Sequence, residues 1–310
     1  MSAQIEEQAV VWPRRQVLRY ALAGAGAYLL PACGGASAYE LDADGVQMLF
    51  PSAPGANFRL GGADPNGFAR LVIEKRSTAI AGAEGGLSFW NLPSYGLEYS
   101  SGGSGWTSRM HIHATGDTQR YTLKTQNGYL STPEDPKNQE FTVYVRVHQI
   151  LDPARAQISL KIRGGAHSTT DPERASCVLM TYAPQSYPRL TRFGKELTHP
   201  DYDYVALRPL FDTPMLENAW VGMKMISWND PRDTTRVIDR LYLDTDPFDR
   251  ESGRPKNTWR LFSEYVDVDG TSTGNYSQLV NWGGWQTTVR TDGFHDIDFA
   301  LLSLREIAPP

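Results

Sequence analysis

From residue 71 onward the chain is written almost entirely in short runs whose apolar residues recur at every second position. The clearest are 141–150, 156–162, 220–228, 236–243, 258–266 and 299–307, with clusters of Gly, Pro, Asn and Asp between them. A period of two places successive side chains on opposite faces of an extended strand. Beyond the first forty residues there is no long run of helical period and no repeat at fixed spacing. Many short strands separated by turn residues, with 28 Gly and 20 Pro to build the turns, predict an all-β protein in which two antiparallel sheets form a β-sandwich. Apolar residues make up 40% of the 310, enough to fill one such core. The spacing assigns 70–310 to a single sandwich domain. It assigns 39–69, with Pro51-Ser52-Ala53-Pro54-Gly55 and Gly61-Gly62-Ala63-Asp64-Pro65, to a loop-rich lead-in.

Residues 1–38 read as an address. Arg14-Arg15-Gln16-Val17-Leu18-Arg19 resembles the twin-arginine export motif, and the apolar run Tyr20 to Ala32 follows it. That run is shorter than the roughly 20 residues a spanning helix needs, and it suits the apolar region of a signal peptide. Two cleavage readings stay open. Leu30-Pro31-Ala32-Cys33 resembles a lipobox that would put a lipid on Cys33, whereas Ala36-Ser37-Ala38 offers an ordinary site ahead of Tyr39. Either reading predicts export to the periplasm, cell surface or medium, and a lipid on Cys33 is the only membrane attachment implied.

The formal charge is −5, and loss of Glu6, Glu7, Arg14, Arg15 and Arg19 with the signal leaves about −6. Net attraction to a polyanion such as nucleic acid is therefore excluded as a driving force, although a local basic face is not. Two cysteines cannot build a disulfide framework or a cysteine zinc site. Cys177, in the apolar run Cys177-Val178-Leu179-Met180, reads as a buried structural thiol. There is no Gly-x-Ser-x-Gly elbow, Walker loop or dinucleotide fingerprint, which argues against triad hydrolysis and nucleotide chemistry.

The closing stretch carries Trp282-Gly283-Gly284-Trp285, then Asp296-Ile297-Asp298-Phe299 and Arg305-Glu306-Ile307. It resembles the last strands of concanavalin-A-like, jelly-roll carbohydrate proteins, in which the final strand returns beside the first. The resemblance implies architecture only, since that fold hosts lectins, glycosidases, lyases and non-catalytic modules. The paired-glutamate strand of laminarinase-like glycosidases is missing, and so are the signature strands of the best-known jelly-roll alginate lyases.

Strand parity suggests where a ligand would lie. In 141–150 the apolar set Phe141, Val143, Val145 and Val147 leaves Tyr144, Arg146 and His148 on the other face. In 156–163, Ile158, Leu160 and Ile162 leave Gln157, Ser159, Lys161 and Arg163. Met110 and Ile112 leave Arg109, His111 and His113, while Val221, Met223 and Met225 leave Trp220, Lys224 and Trp228. If these strands share a sheet, its outer face is a cationic, aromatic groove on an acidic protein. Aromatic faces stack on sugar rings and arginine forks pair with carboxylates, so an acidic polysaccharide is the expected partner.

Uronate polymers are cleaved by β-elimination, which needs a carboxylate neutraliser, a base for the C5 proton and an acid for the leaving oxygen. Arg146 and Arg163 are the candidates for the first task, with Gln149 a weaker helper whose parity sends it to the other face. His148 or His167 is the candidate base. The segment 195–204 offers Lys195, His199, Tyr202 or Tyr204 as acid. Arg109, His111, His113, Tyr144, Lys161, Trp220, Lys224 and Trp228 are expected to bind substrate. The alternatives are a non-catalytic carbohydrate-binding lipoprotein that stacks sugars on Trp220, Trp228 and Tyr144, and a structural surface module.

No catalytic metal is expected, although His111-x-His113 has a spacing used by metal sites. Asp267-Val268-Asp269-Gly270 departs from a full calcium loop and suits a tight turn, so structural calcium is the only cofactor left open. Glu98 in Tyr95-Gly96-Leu97-Glu98-Tyr99 is an isolated carboxylate, and a glycosidase needs two.

Overall fold

The computed structural model describes residues 40–62, 64–65, 69–72, 77–98, 104–114, 123–125, 128–130, 135–165, 176–184, 189–210, 217–271, 276–284 and 286–309. The twin-arginine-like segment, Cys33 and His167 lie outside them, as do the side chains of His111 and His113.

Two antiparallel sheets of eight strands account for the fold, and no helix occurs among the described residues. Elements are numbered along the chain: β1 (Ser52–Arg59), β2 (Ala69–Val72), β3 (Thr78–Glu84), β4 (Leu87–Leu92), β5 (Tyr95–Glu98), β6 (Ser104–Ala114), β7 (Leu123–Thr125), β8 (Gly128–Leu130) and β9 (Gln139–Ile150). They continue with β10 (Gln157–Gly164), β11 (Cys177–Ala183), β12 (Leu190–Thr198), β13 (Asp201–Pro209), β14 (Trp220–Asn229), β15 (Arg236–Asp244), β16 (Arg260–Val268), β17 (Gln286–Asp292) and β18 (Phe294–Ile307). The first sheet runs β16-β15-β14-β9-β18-β4-β3, with β1 added on β18. The second runs β13-β12-β11-β10-β17-β6-β2, with β5 on β6, while β7 and β8 form a separate hairpin. Residues 52–59 of the expected lead-in are thus part of the sandwich, because β1 pairs along β18 from Ser52 opposite Ile307 to Arg59 opposite Ser303.

The core follows the alternation. Phe141, Val143, Val145 and Val147 from the first sheet meet Ile158, Leu160, Ile162, Val178 and Met180 from the second, and all are essentially inaccessible to solvent. Burial of alternate apolar residues against a facing sheet is the dominant stabilisation of a sandwich.

Both sheets carry buried residues on their outer faces, and on the second Ser159, Lys161, Thr181 and Glu196 are almost inaccessible. Over the first lie the segment 41–50 and the loop 245–259, tied together by Asn257, whose Oδ1 accepts from Gln47 N at 2.8 Å and whose Nδ2 donates to Gly45 O at 2.9 Å. Val46 and Phe248 pack there against Tyr144 and Phe89, and Phe50 packs against Trp228. This cover buries Tyr144, Lys224 and Trp228, which the alternation had suggested for an open groove. Lys224 Nζ is spent on Glu140 Oε1 at 3.0 Å and Thr142 Oγ1 at 2.8 Å.

One bulge matters for the second sheet. The pairing of β10 with β17 shifts between Lys161 and Gly164, and Arg163 takes a left-handed φ of 55°. The alternation is broken there, and the Arg163 side chain turns inward beside Ile162. Gly284 allows this, since a Cβ on it would fall 2.0 Å from the Arg163 carbonyl carbon.

Candidate functional site

The parity argument required the four cationic strands to be neighbours in one sheet, and they are not. β9 and β14 belong to the first sheet, β6 and β10 to the second. The expected groove is therefore divided between opposite faces of the molecule.

On the first sheet Arg146 donates to Asp298 Oδ2 through Nε at 2.9 Å and Nη2 at 2.6 Å, and His148 Nε2 is 2.9 Å from the same oxygen. The guanidinium also lies 4.8 Å from the Trp220 ring and 5.1 Å from Phe89. Arg146 and His148 thus form a local structural cluster around a buried carboxylate.

Arg163 does not face solvent either. It is fully buried, and its Nη1 donates to Asn229 Oδ1 at 2.7 Å and Val280 O at 2.8 Å. Lys195 also points inward, with Nζ 2.8 Å from Asp267 Oδ2 and 2.9 Å from Gln278 O. Neither reaches a surface ligand. Asp267, half of the suggested calcium pair, is committed to Lys195 inside the sandwich, so the Asp267–Asp269 turn does not present both carboxylates to one ion.

The outer face of the second sheet is where polar chemistry gathers. Register aligns Arg109 with Arg290, Arg290 with Ser159, Ser159 with Thr181 and Thr181 with Arg192. At roughly 4.8 Å per strand this row extends about 19 Å across β6, β17, β10, β11 and β12. The adjoining rows set Lys161 beside Leu179, Leu179 beside Gly194, Gly194 beside Tyr204, and Cys177 beside Glu196. The register also sets the backbones of His111 and His113 opposite Thr288 and Gln286.

Hydrogen bonds weld these positions together. Asp292 receives Arg290 Nε on Oδ2 at 2.8 Å and Nη2 on Oδ1 at 2.9 Å. Gln157 Nε2 donates to Asp292 Oδ2 at 3.1 Å, and its Oε1 accepts from Arg192 Nη2. The Arg192 guanidinium sits 4.8 Å from the Tyr204 ring centre, and Tyr204 stacks with Tyr202 at 6.0 Å and 10°. Gly194 makes room for this, because a Cβ there would meet Tyr204 Cδ1 at 2.8 Å.

A second group lies alongside. Lys161 Nζ donates to Glu196 Oε2 at 2.7 Å and to Tyr202 Oη at 2.9 Å. The other Glu196 oxygen, Oε1, is 2.8 Å from His199 Nδ1. A carboxylate only accepts, so His199 donates to it through Nδ1. An ammonium only donates, so Tyr202 accepts from Lys161 and keeps its own O–H to give elsewhere. Burial disfavours the Lys161 charge, but the Glu196 carboxylate beside it outweighs that and holds the ammonium above its usual range. Burial raises the Tyr202 hydroxyl, against the opposing pull of Lys161. Tyr204 is pushed up to about 12 by burial, opposed by Arg192, Arg290 and Lys161. Cys177 is also pushed up to about 12 by burial, which makes it an inert thiol.

Of the residues singled out from sequence, Arg109, Lys161, His199, Tyr202 and Tyr204 meet on this sheet. Arg192, Glu196, Arg290 and Asp292 were missed, although Arg192-x-Gly194-x-Glu196 and Thr288-x-Arg290-x-Asp292 show the same period-two polar pattern. Among the described residues, no group of three His, Cys, Asp or Glu side chains is placed to hold a metal ion.

No family profile matches this sequence, and no curated protein does. Solved structures with a similar strand arrangement include an endo-β-1,4-glucuronan lyase from the fungus Trichoderma reesei, 11% identical over 78% of this chain and 92% of that one, with a TM-score of 0.41. A carbohydrate-binding module from Bacillus subtilis is 10% identical over 74% and 96%, at 0.35. Lectin I-B4 from Griffonia simplicifolia is 10% identical over 80% and 98%, at 0.36. Likeness at this level reaches no further than the arrangement of strands.

Proposed function

We propose that this protein is an exported lyase that cleaves an acidic, uronate-containing polysaccharide by β-elimination on the outer face of the second sheet. The observation that carries this is the chain Tyr202–Lys161–Glu196–His199, which holds an acid and a base on one cationic sheet face. Among the described residues, four cations, Arg109, Lys161, Arg192 and Arg290, stand there with two carboxylates, Glu196 and Asp292, on a protein of overall charge −5. Local positive potential on an acidic molecule favours an anionic polymer.

Arg192 and Arg109 engage the uronate carboxylates, and Arg290, fixed by Asp292, adds field without moving. Electron withdrawal into the neutralised carboxylate acidifies C5–H. His199 Nε2 takes that proton, the C–H electrons form the C4–C5 double bond, and the C4–O bond breaks toward the leaving sugar. Tyr202 gives its hydroxyl proton to that oxygen, and the Lys161 ammonium stabilises the phenolate left behind. Glu196 positions both partners. The twin-arginine-like leader places the enzyme outside the cytoplasm, with a lipid on Cys33 or cleavage after Ala38.

The test is incubation with a panel of uronate and neutral polysaccharides while following the ultraviolet absorbance of the unsaturated ring. A rise with a uronate polymer that vanishes in Tyr202→Phe and His199→Ala is the expected result. No absorbance and unchanged polymer length across the panel would overturn the proposal. The stacked Tyr202–Tyr204 pair favours a second reading, a module that binds such a polymer without cleaving it. Retention on uronate gels without any product would establish that reading.

A further inference from the structure

On the far side of the molecule, at the covered face of the first sheet, a cleft of about 560 Å³ opens between the β3–β4 turn, the start of β14 and the loop 245–253. That volume falls within the usual range of small-ligand sites. Its wall includes Trp220, and the surroundings of this ring are unusually well fixed. The Arg146 guanidinium lies 4.8 Å from it, and Phe89 and Phe248 meet it edge-on at 5.6 and 5.7 Å. Arg146 is held in turn by the buried Asp298. The ring is therefore a preorganised platform rather than a loose surface side chain.

The rest of the lining is polar. Asn218, Asp246, Asp249 and Arg250 stand around the ring. Asp249 is ordered by its own loop, since Oδ1 accepts from Glu251 N at 3.1 Å and from Ser252 N and Oγ at 2.8 Å. Those bonds hold its carboxyl below the usual range, so it is an anion at neutral pH. Lys256 Nζ bridges both oxygens of Asp246 at 2.9 and 2.8 Å. The cleft closes at one end where the β3–β4 turn meets the loop so tightly that a Cβ on Gly85 would lie 2.7 Å from Gly253 N.

We infer that this cleft is a second glycan site, separate from the cationic face, and that it takes a neutral hexopyranose unit. A rigid indole bordered by an amide and carboxylates matches a pyranose, whose C–H face is apolar and whose hydroxyls radiate around it. The charge balance decides the class of sugar. Asp246 and Asp249 stand against Arg250 and the Lys256 paired with Asp246, so no net positive charge is left to draw a uronate, whereas carboxylates accept well from neutral hydroxyls. The two sites lie on opposite sheets, so they cannot be subsites for one short stretch of chain. The cleft would hold the protein on a neutral glycan while the other face engages an acidic one, and it does so whether or not that other face is catalytic.

Affinity electrophoresis of the whole protein through gels containing neutral glucans, mannans or galactans, or a uronate polymer, tests this. Trp220→Ala removes the platform, and Ala219→Trp fills the cleft from an exposed position without removing core atoms. Each is expected to weaken retention on the neutral polymer about tenfold, the loss of a stacking contact with its contact area, and to leave uronate retention unchanged. Tyr204→Ala should do the reverse. Thermal midpoints checked alongside identify any variant that fails by unfolding. No retention of wild-type protein on any neutral polymer, or retention undiminished in a folded Ala219→Trp variant, would overturn the inference.

Discussion

Lys161 and Glu196 form an ion pair of 2.7 Å on the outer face of a sheet, yet their side chains are only 4% and 0% exposed. Tyr202 and His199 close over the pair from either side and take one hydrogen bond each. A charged pair in such a place is costly to split, because the partner left behind has lost its water and its counter-charge. Glu196→Gln is therefore expected to destabilise the protein by about 3–5 kcal/mol, and replacing both residues, Lys161→Met with Glu196→Gln, to recover part of that loss. Urea unfolding of the two single variants and the double variant measures the coupling. Strict additivity would show that the pair does not act as a unit.

Asp239 gives the fold a pH dependence. It is fully buried, and burial pushes its carboxyl from 3.8 up to about 7, against the pull of Arg163. A native state with the raised value binds a proton that the unfolded chain has already released. The stabilisation is thus complete below pH 4 and is lost as pH rises through 7, on the order of 4 kcal/mol for a shift of this size. Asp239→Asn should flatten the fall in thermal midpoint between pH 4 and 7. Parallel midpoint curves for wild type and variant would show that Asp239 does not control it.

Gly194 makes a different demand. Tyr204 lies across it, with Cδ1 and Cε1 at 2.8 and 2.9 Å from where a Cβ would stand. Gly194→Val must push the ring off β12 and away from Arg192. Binding to uronate polymer should fall several-fold while the core, which lies on the other side of the sheet, keeps its cooperative unfolding. Unchanged binding would mean that Tyr204 takes no part in recognition.

The sandwich was legible because apolar alternation depends only on which face of a strand is buried. Phe141–Val147 and Ile158–Ile162 show this directly, since each expected inward residue is buried. The site was legible only in pieces. Parity separates the two faces of a strand but not one sheet from the other, so Arg146 and Lys161 looked like neighbours and stand on opposite sides of the molecule. Arg163 was misplaced because one left-handed residue at a bulge reverses a side chain, and nothing in Lys161-Ile162-Arg163-Gly164 declares it. Tyr144 and Trp228 were misplaced because their cover comes from segments far away in sequence, 41–50 and 245–259.

Two histidines separate the two faces experimentally. His199 meets Glu196 on the cationic sheet, whereas His148 meets Asp298 on the other one. Asp298 also receives two bonds from Arg146 and one from Asn91 Nδ2 at 2.9 Å, so it stays satisfied when His148 is removed. His148→Ala should then cost no more than about 1 kcal/mol, as expected for a partly exposed pair, and leave uronate cleavage at the wild-type rate. His199→Ala should keep the fold and lower the rate by about 10²–10⁴, the usual contribution of a general base. Initial rates of ultraviolet absorbance increase on the same uronate polymer decide between them. If His148→Ala abolishes turnover and His199→Ala does not, the chemistry lies on the first sheet, and the assignment of the cationic face fails.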